Sequence, residues 1–168
     1  MRFHLVDRIV AFEAEKSIQA VKNLTLGEEY LADHFPTFPV MPGVLMLEAL
    51  VEAGAWLLRL SENYRHSVIV LHEARNVKYG MFMEPGRQMN IAVELVERNG
   101  ALATLKGKGA MEGQQTVSAR LTLRCSNLAD RDPALKAVDE RIVSDLRDRH
   151  RVLCGGFAEK ASVEKVNV

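Results

Sequence analysis

"HFPTFPVMPGVLMLEALVEAGAWLLRL", residues His34 to Leu60, decides the fold of this chain. From Val44 to Leu58 only Glu48 and Glu52 interrupt apolar and small residues. Leu, Met, Ala and Glu dominate the run, and Pro42 stands where a first-turn proline is tolerated, so the pattern predicts a helix. Apolar side chains fall on every side of it, which marks a helix surrounded by protein. The run is too short, and too acidic, for a membrane span.

Outward from this helix the character changes. "SIQAVKNLT" (Ser17 to Thr25) alternates like a half-buried strand, and "MRFHLVDRIVAFEAEKS" before it reads as a short strand or turn, not a signal peptide. Beyond the loop "SENYRHS" come "VIVLHEA", "NVKYGMF", "QMNIAVELVER", "ALATLKGKGAMEG" and "QTVSARLTLRC", strand-like runs parted by the turn signals "EPGR", "RNG" and "EGQ". Asn99-Gly100 is a hairpin signal. An N-terminal strand, an enclosed helix and a meander of strands predict an α+β fold, an antiparallel sheet wrapped around a long central helix. From Asp132-Pro133 onward, Leu135, Val138, Ile142 and Leu146 recur at helical spacing until Gly155-Gly156. This is an amphipathic helix suited to docking on a neighbour, and "FAEKASVEKVNV" after it is expected to fray. The expected division is therefore 1–125, the sheet-and-helix domain, and 126–168, a C-terminal helical extension and tail.

The totals narrow the function. The chain has 168 residues, 48% apolar and 26% charged, enough for one domain with a sizeable core. Basic and acidic residues balance at 22 each, so bulk charge argues for neither nucleic acid nor a membrane surface as partner. Cys125 and Cys154 show no CxxC or metal-type spacing, which suits reduced thiols and a cytoplasmic protein. The histidines show no metal spacing, and "GKGAMEG" lacks the phosphate-loop pattern.

Glu48 and Glu52 stand four apart and share one helix face. Burial and mutual repulsion raise carboxyl pKa values, and a carboxyl kept protonated near neutrality is a usable general acid. The bland alternative is the wet side of an amphipathic helix. Pro42-Gly43 leaves the first helix amides, those of Gly43 and Val44, free to stabilise an oxyanion. A loop histidine is commonly structural, but Pro36, Pro39 and Pro42 stiffen the route from His34 to the helix. Base, helix-terminal amide and acid are the parts needed to deprotonate a carbon beside a carbonyl and expel a neighbouring hydroxyl.

"HFPTFPVMPGVLMLEAL" resembles the "HFP-x-x-P-x-x-PGVL-x-x-EA" signature of the 3-hydroxyacyl-[acyl carrier protein] dehydratases, and the resemblance runs over roughly residues 3–125. It implies a hot-dog fold and a hydro-lyase of fatty acid biosynthesis that converts a 3-hydroxyacyl thioester on acyl carrier protein to the trans-2-enoyl thioester. It implies His34 as catalytic base, Glu48 as catalytic acid of the non-isomerising type, and Gly43, with Val44, Phe38 and Glu52 nearby, for oxyanion and substrate binding. No metal or organic cofactor is implied. A homodimer with shared active sites is, and a trimer of dimers is frequent in the family. Thr37, Phe38, Glu52 and Gly80-Met81 depart from the usual pattern. Two alternatives stay open: a hot-dog acyl thioesterase using Glu52, and a non-catalytic subunit that binds acyl carrier protein. Tyr79, Phe82 and Met83 are expected to pack in the core or to line an acyl tunnel. Arg59, Arg65, Arg75 and Lys78 form either a basic rim for an acidic carrier or a scattered solvated surface.

Overall fold

The apolar run is a single helix, α1 (Gly43–Ser61), in the computed structural model, which describes residues 4–155. The Pro42 carbonyl starts it by accepting from the amides of Leu45 (2.9 Å) and Met46 (3.2 Å). At the other end the Ser61 hydroxyl donates to the Leu57 carbonyl (2.7 Å) and accepts from the Glu15 amide (2.8 Å). Asn63 and Tyr64 then turn through left-handed backbone, which ends the helix.

Six strands hold it: β1 (Arg8–Glu13), β2 (Ser17–Asn23), β3 (Val68–Tyr79), β4 (Gln88–Asn99), β5 (Leu102–Met111) and β6 (Gln114–Ser126). They form one sheet in the order β1-β2-β4-β5-β6-β3, antiparallel at every pairing. Alternate residues of the inner strands face α1: Ile18 and Ala20 on β2, Met89, Ile91 and Val93 on β4, Leu121 and Leu123 on β6. On β5 the inward row runs Ala103, Leu105, Gly107, Gly109, with Lys106 and Lys108 exposed between. A Cβ on Gly107 would lie 3.1 Å from the Leu50 side chain, so α1 settles onto the sheet where β5 has no side chain. The "GKG" pattern is a packing device.

The architecture is the expected α+β hot-dog, with three local differences. The N-terminal segment is a true hairpin, β1 on β2, closed through Glu15 at φ 57 without the usual glycine. "VIVLHEA" and "NVKY" are one strand, because two register shifts, at Leu71/Glu73 and Arg75/Lys78, absorb the broken alternation. And α1 is not enclosed all round: the sheet covers one side, leaving Val44 and Glu48 exposed.

After β6 two short 3-10 turns (Leu128–Asp130 and Pro133–Leu135) lead into α2 (Lys136–Leu153). Asp132 caps the second turn through the Ala134 amide (3.0 Å), as Asp-Pro suggests. The anchor is Asp139, which accepts from the Ser67 hydroxyl and from the amides of Leu128 (3.0 Å) and Ala129 (2.9 Å). Burial alone raises its carboxyl, but those donors hold it below the usual range. The far end of α2 lies against α1: the His150 ring stacks 6.1 Å from Trp56, and Leu146 and Leu153 join the core. Gly155 follows with φ +42, a helix-ending conformation; Gly156 and the tail expected to fray lie outside the described residues.

Leu50 is fully buried at the Gly107 contact. Leu50→Ala leaves a cavity there and is expected to lower the unfolding free energy by about 2–5 kcal/mol in denaturant titration.

Candidate active site

The His34 loop is tied down before it reaches the histidine. Lys22 on β2 is buried and pairs with Glu28 (2.6 Å), at the foot of a short 3-10 helix (Glu29–Ala32). That turn hands its Tyr30 carbonyl to the His34 amide (3.1 Å). The loop then closes on itself: Phe35 and Phe38 exchange backbone bonds (3.2 and 3.0 Å), and the Val40 amide returns to the His34 carbonyl (3.0 Å). Pro36 and Pro39 fix φ within this closed ring, and the Met41 amide staples its exit to the Met83 carbonyl (2.9 Å).

His34 is held by the same ring. Its Nδ1 lies 2.9 Å from the Val40 carbonyl oxygen. A carbonyl only accepts, so Nδ1 carries the proton and Nε2 of the neutral ring keeps its lone pair. The imidazole stacks on Phe35 at 4.3 Å. It is half-buried and oriented by that bond and the stack.

Three residues beyond Val40 the helix begins, and the amides of Gly43 and Val44 donate to no backbone carbonyl or side chain among the described residues. A Cβ on Gly43 would lie 3.1 Å from the Tyr79 ring, so the glycine keeps this corner open beside an aromatic wall. Phe38 meets Phe82 edge-on at 6.0 Å. Phe35, Phe38, Val44, Tyr79 and Phe82 are all exposed, making an apolar rim around the helix start. Of the three residues expected in the core or along an acyl tunnel, Met83 is buried, and Tyr79 and Phe82 stand at this rim. Gly80 is explained by packing: a Cβ there would sit 2.1 Å from the Gln115 carbonyl oxygen, where β6 passes.

The carboxylates lie one to two turns further on. Glu48 is exposed in the single chain, yet the protein packed around it pushes its carboxyl up, and the Glu52 charge adds to this. Glu52 is different. Its Oε2 accepts from the Leu5 amide (2.6 Å) and its Oε1 from Arg149 of α2 (3.0 Å), so both oxygens are engaged by protein. Burial pushes Glu52 up as well, opposed by the Leu5 and Val6 amides, the Trp56 indole and the Arg59 charge. Glu48 and Glu52 share a cleft of about 210 Å³ with Val51, Arg59, Leu146 and Arg149. No residue of the His34 loop lines it. Base and acid therefore do not share this cleft within one chain. Leu146 was legible only as a packing position, and nothing local in the sequence marked Arg149.

Of the cations expected as either a rim or a scattered surface, Arg59 and Arg75 are engaged elsewhere. Arg59 folds over Trp56 (5.5 Å), and burial lowers its pKa. Arg75 pairs with Glu73 (2.9 Å). The cations that do gather are Lys78, Lys106, Lys108 and Arg120, around a shallow depression of about 250 Å³ on the sheet's outer face. Strand alternation predicts that Lys106 and Lys108 share a face, but only the β5–β6–β3 pairing adds the other two. Among the described residues, no group of three or more histidine, cysteine, aspartate and glutamate side chains is placed to hold a metal ion.

Comparison with known proteins agrees with the fold. The solved dehydratase heterocomplex ApeI:P of Xenorhabdus doucetiae superposes with a TM-score of 0.62 at 14% identity, over 79% of this chain and 90% of that one. The acetyl-CoA-bound smu.793 protein of Streptococcus mutans gives 0.56 at 12%, over 75% and 93%. These show a common fold. Sequence relatives come nearer: the 3-hydroxyacyl-[acyl-carrier-protein] dehydratase FabZ of Janthinobacterium sp. (strain Marseille) is 36% identical over 77% of this chain and 85% of its own length. The same enzyme of Bacillus subtilis is 35% identical over 71% and 85%. The family model of the FabA-like domain matches residues 1–120, the stretch that holds β1 to β5, the first part of β6, α1 and the His34 loop. This chain belongs to the FabA-like family.

Proposed function

We propose that the protein dehydrates a 3-hydroxyacyl thioester carried on acyl carrier protein, giving the trans-2-enoyl thioester in fatty acid or related acyl-chain synthesis. The observation that carries this reading is the committed Nδ1 of His34, which leaves a basic Nε2 on a braced loop leading directly to two unbonded helix amides. In the step, Nε2 takes the proton from the carbon α to the thioester carbonyl. The resulting oxyanion is met by the Gly43 amide, with Val44 beside it, at the positive end of α1. Glu48 gives its proton to the β-hydroxyl, the C–O bond breaks, the double bond forms and water leaves. The raised Glu48 carboxyl suits a proton donor near neutral pH. The thioester itself acidifies the α-carbon, so this route uses no metal or organic cofactor. Phe38 and the exposed aromatic rim suit the acyl chain.

This chemistry needs a second copy of the chain. Glu48 opens onto a cleft without the His34 loop, so each site takes its base from one subunit and its acid from the other. β3, twelve residues long and paired on one side only, is the edge through which two sheets continue into one another. A trimer of such dimers is compatible with this pairing. We place the protein in the cytoplasm, in keeping with free Cys125 and Cys154; no helix among the described residues is long and apolar enough to cross a membrane.

The thioesterase alternative relied on Glu52 to activate water, and the two occupied oxygens of Glu52 speak against it. The non-catalytic alternative relied on a loop altered by Thr37 and Phe38, yet that loop keeps His34 oriented.

His34→Ala and Glu48→Gln are each expected to slow dehydration of a 3-hydroxyacyl thioester by roughly 10²–10⁴-fold with unchanged circular dichroism. Enoyl absorbance follows the reaction, and release of free thiol instead would indicate thioester hydrolysis. Mixing the two inactive variants under subunit exchange makes half the dimers mixed, each with one intact site, so about a quarter of wild-type activity should return. No recovery would place both groups in one chain. The Lys78–Arg120 patch on the sheet's outer face suits an acidic carrier protein. Lys106→Glu with Lys108→Glu should raise KM for carrier-bound substrate and leave a short pantetheine thioester unaffected.

A further inference from the structure

The cleft that Glu48 opens onto is completed by a helix outside the stretch that the family model matches. The family model matches residues 1–120, whereas α2 supplies Leu146 and Arg149 to the cleft wall. Arg149 reaches Glu52 through Nη2 (3.0 Å), and its Nη1 donates to Nε2 of His4 (2.7 Å). The Arg149 and Glu52 side chains are only 21% and 16% exposed, so solvent screens the pair incompletely.

We propose that Arg149 is a positioning residue of the dehydratase site: by clamping Glu52 as a carboxylate turned into the protein, it leaves the working proton on Glu48. The inference rests on the assignment of Glu48 as proton donor made above. Its physical basis is the stacking of two acids one helical turn apart at the edge of an apolar core. When one proton is shared by two such groups, only the copies carrying it on the group facing substrate can react. Burial raises Glu52, and left to burial alone it would compete for that proton. The charged and polar groups facing Glu52 come from every element around it. The N-terminal segment gives the Leu5 and Val6 amides, α1 gives Glu48, Arg59 and the Trp56 indole, and α2 gives Arg149, backed by His4; β3 contributes only the apolar Ile69 to the cleft. Arg59 is engaged with the Trp56 face and its charge also acts on Glu52, and burial works against the charge of Arg59 and Arg149 alike, so contact geometry is what tells the two cations apart. Arg149 is the cation in direct contact.

The sign of the expected effect follows. Removing the cation leaves the carboxylate pair more negative, so its first proton is taken up at higher pH, and a share of that proton resides on Glu52. For Arg149→Met the alkaline limb of the kcat profile should move to higher pH while the plateau falls by roughly tenfold, a fraction of what a positioned donor supplies. KM should change little. Arg149→Lys should restore most of the plateau. In a Glu52→Gln background there is no competing acid, and Arg149→Met should then cost almost nothing.

The experiment is this four-variant set, with kcat and KM measured across pH on one 3-hydroxyacyl thioester and melting curves recorded for each protein. Wild-type plateau and limb in Arg149→Met would overturn the proposal. So would losses in Arg149→Met and Glu52→Gln that simply multiply in the double variant, because α2 would then be acting as a structural cover. If Arg149→Met melts too early to assay, the Lys variant and the double variant decide the question. Full activity in Glu48→Gln would instead overturn the underlying assignment, whatever Arg149 does.

Discussion

The structure depends on one contact, the seating of α1 in the sheet. Leu50 comes down on Gly107, Gly54 lies beside Leu123, and Leu57 and Leu58 are fully buried. Close packing of this kind has a geometric consequence beyond stability. It fixes the axis and the rotation of α1, and with them everything the helix carries. The unbonded amides at its start, Glu48 just over a turn along and Glu52 one turn further are set by the same rotation that places Leu50 on Gly107. A helix free to roll would present either its acids or its core residues to the wrong side.

The three parts of the proposed site are held by quite different devices. The imidazole depends on a ring of backbone bonds, from Tyr30 to His34 to Val40, with prolines limiting the alternatives. The amides depend on the absence of bonds, because a helix start has donors without partners. The acid depends on its surroundings, since protein packed about Glu48 makes its ionised form less favourable. Only the first could be lost by breaking a hydrogen bond; the other two would be lost by moving the helix or changing what covers it.

This difference explains what could be read from the sequence. The helix, its start at Pro42-Gly43 and the four-residue spacing of Glu48 and Glu52 are local patterns, and local patterns survive in a one-dimensional string. The β1–β2 hairpin was half-hidden because Glu15 adopts a conformation usually given to glycine. β3 looked like two strands because its bulges break the alternation on which strand reading relies. The fate of Glu52 was not legible at all. Its partners, Leu5 and Arg149, lie 47 and 97 residues away, and no periodicity connects a helix acid to a strand-like terminus and a distant helix. The same holds for the cations on the outer face of the sheet, where Lys106 and Lys108 are a strand pattern but Lys78 and Arg120 join them only by register.

What remains is the apolar rim. A single chain that buries Trp56 and most of α1 so thoroughly still leaves Phe35, Phe38, Val44, Tyr79 and Phe82 in water around the helix start. Such exposure is unfavourable unless something covers it, at about 25 cal/mol for each Å² of apolar surface. In the proposed reaction the rim surrounds the place where the thioester carbonyl would lie against the Gly43 amide, with His34 at its edge. An acyl chain entering along these rings would bring its reactive carbons to His34 with the hydrocarbon already desolvated. A second chain joined at β3 would supply the missing acid and the other wall. On the proposed reading both occupants use the same surface property, and the exposed aromatic residues and a base and acid that share no cleft within one chain would follow from one arrangement.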